Sequence, residues 1–138
     1  MKLHHIGYLV KNVEKTLPAF EALGYEPISL RTDGAGANVY DETRQCYICF
    51  LQENSGSVVE LIAPAQESSP VWGLLNTYKN APYHLCFECG DLEAELTSLQ
   101  RAGWMVFQPL APAPAIDGKR VIFLVHRSAG IIELVENR

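Results

Sequence analysis

The sequence contains no apolar run approaching the roughly 18 residues that a membrane-crossing helix needs, so no helical membrane partner is expected. It contains no block of basic residues, and its formal net charge is −5. Nucleic-acid binding needs a basic footprint, so a nucleic-acid partner is excluded as well. The opening residues, Met1 to His5, lead directly into a strand-like segment. They lack the apolar stretch and small-residue cleavage site of a secretory leader, which makes the cytoplasm the expected location. A length of 138 residues suits one domain with a real core.

The cysteines form two CxxC pairs, Cys46/Cys49 and Cys86/Cys89, a spacing that often marks a zinc site. Here each pair lies in a strand-like run, Cys-Tyr-Ile-Cys-Phe-Leu and His-Leu-Cys-Phe-Glu-Cys, with no glycine inside it. Residues i and i+3 of a strand point to opposite faces, so neither pair chelates without a turn. Reduced core cysteines are the expectation.

What the chain does have is an internal repeat. His5-Ile-Gly-Tyr-Leu-Val-Lys-Asn12 aligns with His84-Leu-Cys-Phe-Glu-Cys-Gly-Asp91, and the register continues to Gly24/Gly103, every pair 79 residues apart. The segment from Ile48 to Leu61 aligns with that from Val121 to Leu134 at a spacing of 73, including Glu60/Glu133. The first half therefore carries six extra residues in its middle, for which the Gly-rich Asp33–Asn38 is the natural place. Each half reads as strand, helix, then three strands. Helices are expected over Val13–Leu23 and from an Asp91 cap to Ala102, stopped by Gly24 and Gly103. Pro18 should kink or delay the first of them. Ser69 and Pro70 open a helix between the halves. The Pro/Ala-rich stretch Pro109–Ala115 reads as an exposed loop that borders a site.

One polar residue interrupts each of four apolar strands: His5, Glu60, His84 and Glu133. A carboxylate in a covered strand costs several kcal/mol unless compensated. Two symmetric glutamates facing two symmetric histidines point to one shared divalent cation. His4 is adjacent to His5, but the alignment with His84 selects His5. The competing reading pairs the acids with Arg44, Lys119 or Arg120.

His5-Ile-Gly-x-x-Val followed by Asn-Val-Glu-Lys resembles the opening of the vicinal oxygen chelate (glyoxalase/bleomycin resistance) superfamily. Val59-Glu-Leu-Ile-Ala-Pro64, the helix after Pro70, and Gly118 leading to Phe123-Leu-Val-His126 and Glu133 are most similar to methylmalonyl-CoA epimerase-like proteins. The resemblance implies an α+β fold. In it two tandem βαβββ modules, residues 3–64 and 82–136, flank a helix at 69–80 and form one cupped mixed sheet. It implies metal ligation by His5, Glu60, His84 and Glu133, with Co, Zn, Ni, Mn or Fe as the ion. The epimerases often carry Gln at the position of Glu60, whereas glyoxalase I enzymes use Glu or Gln.

The implied activity is an isomerase or epimerase that removes a proton next to a metal-polarised carbonyl, with a small molecule such as a CoA thioester as substrate. Glu42 is the implied base, Asp41 the alternative, and Glu133 a second acid or base, although the Gln-Gly that follows the family's acidic pair is Thr43-Arg44 here. A glyoxalase-type lyase is a second implied activity. A non-catalytic binding or resistance protein is a third. Relatives of this kind are often homodimers.

Overall fold

The computed structural model describes residues 1–137. The chain forms β1 (Lys2–Leu9), α1 (Val13–Glu21), β2 (Glu26–Ile28), β3 (Asn38–Asp41), β4 (Cys46–Gln52) and β5 (Val58–Pro64). Helix α2 (Pro70–Tyr78) links these to β6 (Ala81–Cys89), α3 (Leu92–Arg101), β7 (Met105–Ala113), a 3₁₀ turn at Pro114–Ile116, β8 (Lys119–His126) and β9 (Gly130–Glu136). The strands make one sheet in the order β2-β4-β5-β1-β6-β9-β8-β7, with β3 also on β4.

The sequence repeat becomes a structural one. In the first half β1 runs parallel to β5, which pairs antiparallel with β4. In the second half β6 runs parallel to β9, which pairs antiparallel with β8. The halves join through the antiparallel pair β1–β6. The α+β fold of two βαβββ modules is thus present. The edge strand of module one is broken: β2 and β3 both pair with β4, where β7 runs almost continuously along β8. The break contains the extra residues that the change of spacing implies.

Local chemistry sets the helix ends. Asn12 Oδ1 accepts from Lys15 N at 2.8 Å and Asp91 Oδ1 from Ala94 N at 3.0 Å. Each bond satisfies an amide that the first turn leaves without a partner. Gly24 and Gly103 end the two helices at φ 89° and 96°. Pro18 does not delay α1, which starts at Val13 beside its cap. Helix α1 covers the outer face of module one, placing Leu17 and Phe20 on Cys49, Leu51, Val59 and Leu61. Helix α3 does the same in module two, with Leu96 and Leu99 over Ile122, Leu124, Ile132 and Leu134. The inner face of the sheet holds a third apolar cluster, in which Val71 and Leu75 of α2 meet Leu9, Ile48 and Ile62.

The stretch Pro109–Ala115 is exposed at Pro109, Leu110, Pro112 and Pro114 as expected, but most of it is strand and not loop. Its first part extends β7, where an edge strand tolerates proline because one row of amides has no ladder to join. Its second part turns inward and buries Ala115 and Ile116. The cysteines are free and buried. No helix among the described residues is long and apolar enough to cross a membrane.

Candidate metal centre

The four central strands, β5-β1-β6-β9, carry the four polar residues on one face. Register brings this about. Gly7, two residues after His5, lies opposite Glu60; Cys86, two residues after His84, lies opposite Glu133. Period-two alternation then turns all four side chains into the cup. Their candidate ligand atoms lie within 4.8 Å of one another, and all four residues are buried.

The spacing suits a cation. The Nε2 atoms of His5 and His84 are 3.3 Å apart. Glu133 Oε2 is 3.3 Å from the first and 3.1 Å from the second, and Glu60 Oε1 is 3.7 Å from both. Donors held at about 2.1 Å around one tetrahedral or octahedral ion are themselves roughly 3.0–3.4 Å apart. The contacts of Glu133 Oε2 with the imidazoles are close, yet that buried oxygen has no aligned hydrogen-bond donor. Apart from the hydrogen bond between the two imidazole Nε2 atoms, lone pairs converge here without donors, as an ion requires, so this donor set fits a divalent metal.

The charges fit too. Burial pushes the Glu60 carboxyl up to about 7, with His5 opposing and Glu133 adding to the rise. Burial acts on Glu133 in the same direction, but contact with His5 and His84 more than offsets it and leaves that carboxyl below its ordinary range. Two carboxylates share one pocket, and the one nearer the imidazoles keeps the charge. A cation relieves the remaining penalty on Glu60. Among the described residues the competing ion pairs do not form: Arg44 pairs with Asp41, Arg120 with Glu93 and Glu136, and no ion pair joins Lys119 to either acid.

Packing fixes the rings. His84 lies directly over Gly7, where a Cβ would come within 2.0 Å of Cε1. Tyr83 and Phe123 meet the His84 ring edge-on at 4.4 and 5.1 Å. Phe50 meets His5 in the same way at 5.0 Å. Burial and the neighbouring His5 hold His4 below its ordinary pKa. Burial, followed by the carboxylate of Glu133, pushes the Cys86 thiol far up and keeps it protonated.

Beside the cluster is a cavity of about 20 Å³, lined by Glu60, Glu133, Phe50, Phe123, Asp41 and Arg44, and by Ala113, Ala115 and Ile116 of the inward-turned segment. That volume holds one water or ion. Asp41 is fully buried, and both its oxygens accept from Arg44, Oδ1 from N at 3.1 Å and Oδ2 from Nη1 at 2.7 Å. Glu42, one residue along, is exposed and does not line the cavity. The sequence reading did not anticipate the Asp41–Arg44 pair as a cavity wall. No spacing signal marks it, because the pair closes a turn rather than occupying a strand.

Comparison with known proteins bears on the family and the fold. The family model described as Glyoxalase/Bleomycin resistance protein/Dioxygenase superfamily matches residues 4–123. No curated protein matches the sequence. A hypothetical protein of Bacillus halodurans is similar in structure at a TM-score of 0.81 and 24% identity, covering 99% of this chain and 94% of that one. The methylmalonyl-CoA epimerase of Mycobacterium tuberculosis aligns at a TM-score of 0.80 and 21% identity, covering 99% and 88%. That of Streptomyces coelicolor, in complex with 2-nitronate-propionyl-CoA, aligns at 0.77 and 22%, covering 99% and 96%. The family match covers most of the chain, and the fold and donor set accord with it: this chain belongs to the glyoxalase/bleomycin resistance protein/dioxygenase superfamily.

Proposed function

We propose that the protein is a metal-dependent isomerase or epimerase that exchanges a proton next to a carbonyl, with a CoA thioester as the substrate class. The observation that carries this reading is the convergence of His5, Glu60, His84 and Glu133 on one buried point. The thioester class is supported by the likeness to methylmalonyl-CoA epimerases, one of them bound to a CoA compound.

His5 and His84 would hold the ion through Nε2, Glu60 through Oε1 and Glu133 through Oε2. A bound divalent cation supplies Lewis-acid polarisation of a carbonyl oxygen. The protein's own groups do the rest. Phe50 and Phe123 give the cavity beside the donors an apolar wall. The Asp41–Arg44 pair fixes the turn after β3 with both Asp41 oxygens engaged; Glu42 on that turn is exposed outside the cavity, so as the proposed base it acts on substrate from the rim. Glu133, the other proposed acid or base, stands on the opposite module among the ligands. The 20 Å³ cavity holds a water or an ion and is too small for a whole thioester substrate.

The test is proton exchange at the α-carbon in D2O, using protein loaded with Co or Mn and a panel of acyl-CoA thioesters. Exchange that disappears in Glu42→Gln supports the proposal. A panel with no exchange rejects it.

A further inference from the structure

Neighbouring residues on a flat strand point to opposite faces, yet His4 and His5 meet: their Nδ1 atoms are 2.7 Å apart. A β-bulge makes this possible. Leu3 pairs with Phe87 and His5 with Cys86, so β1 uses two steps where β6 uses one, and His4 is the extra residue. A second irregularity sits on β6, where Gly7 pairs with His84 and Tyr8 with Pro82, leaving Tyr83 over. The two extra residues, His4 and Tyr83, are symmetry mates that each precede a histidine of the centre.

They act differently. Tyr83 only packs against His84, whose Nδ1 has no hydrogen-bond partner. His4 reaches the corresponding nitrogen of His5. A separation of 2.7 Å is a hydrogen bond and is shorter than two nitrogens sharing one ion allow. One of the two nitrogens must therefore carry the proton. If His5 is to offer the Nε2 lone pair to an ion, its proton has to be on Nδ1. The nearby Glu133 Oε2, 3.3 Å from Nε2, favours the opposite tautomer.

We infer that His4 is a positioning residue: its Nδ1 accepts the Nδ1–H of His5 and thereby turns the Nε2 lone pair of His5 toward the centre. This rests on the metal-centre reading, and it adds a residue outside the ligand set. It also makes the two modules unequal, with one histidine set by a hydrogen bond and the other by packing. An accepting partner behind a histidine ligand is worth about 10–100-fold in metal affinity.

The experiment combines 15N NMR of the imidazoles in metal-free protein with Zn and Co titrations of wild type, His4→Leu and His4→Gln. Wild-type His5 is expected as the Nδ1–H tautomer. His4→Leu should shift it to Nε2–H and weaken both metals about 10–100-fold. His4→Gln, which keeps an acceptor, should restore the tautomer and most of the affinity. An Nε2–H tautomer in wild type, or a His4→Leu variant with unchanged tautomer and affinity, overturns the inference. A wild type that binds neither metal overturns the metal reading instead, and the metal-free spectra still decide the role of His4.

Discussion

Gly7 and His84 are in contact across the seam between the two modules: the imidazole occupies the space that a side chain at Gly7 would fill, with a Cβ falling 2.0 Å from Cε1, 2.3 Å from Nδ1 and 2.5 Å from Nε2. The backbone of Gly7 does not have a positive φ, so its requirement is steric and not conformational. Gly7→Ala should displace the ring, weaken metal binding at least tenfold and destabilise the fold by about 1–3 kcal/mol. Metal titration and thermal melting check both effects.

The pair Asp41–Arg44 is nearly buried, with side-chain exposures of 1% and 10%. Removing one partner leaves the other charge without compensation. Arg44→Ala should cost about 3–5 kcal/mol, more than a surface ion pair contributes. Asp41→Asn with Arg44→Met, which removes both charges, should recover much of that loss. Urea unfolding of the single and double variants measures it.

Glu60 gives metal-free protein a defined pH response. Its carboxyl rises from 4.5 to about 7 on folding, chiefly through burial. Between those values the folded chain holds a proton that the unfolded chain has lost, so stability falls as pH rises through that window. Glu133, held low by the imidazoles, gives the opposite slope below the ordinary carboxylate range. Glu60→Gln has no such proton to lose. The metal-free variant should be more stable than metal-free wild type above about pH 7, and the two should converge toward about pH 4.5. Binding of a cation by wild type should release up to one proton and tighten as pH rises to about 7. Melts across pH and calorimetry in two buffers test the pair of expectations.

The inward-turned segment that lines the cavity is tied at its far end. Thr32 N donates to Asp117 Oδ1 at 2.8 Å, and Asp117 has φ 62°. Asn tolerates that backbone and keeps the acceptor, while Ala does neither well. Asp117→Ala should raise amide exchange around Ala113–Gly118 and speed metal entry with little change in affinity. Asp117→Asn should resemble wild type.

The repeat carried most of what could be read without coordinates. Offsets of 79 and 73 residues located the duplicated modules, and the polar residues in four apolar strands named the cluster that the fold assembles. Strand alternation succeeded there because β1, β5, β6 and β9 each turn a buried face into the interior, the outer face of β1 and β6 being partly exposed. It failed at His4, where a bulge cancels alternation and leaves no mark in the sequence. It failed again at Pro109–Ala115, since prolines signal a loop but are equally compatible with an edge strand. The Asp41–Arg44 wall joins residues of a turn, where neither periodicity nor symmetry applies. The change in spacing gave the size of the insertion in module one but not its effect, which is to split one edge strand into β2 and β3.

The central claim is that one cation compensates the buried acids, and metal stoichiometry tests it most directly. Protein stripped with chelator, reloaded with Co or Mn and freed of excess ion should carry about one equivalent per chain by mass spectrometry, as a single four-donor cluster requires. His5→Ala and Glu133→Ala should carry far less while remaining folded. Folded wild type that retains no ion, or alanine variants that retain as much as wild type, would contradict the account.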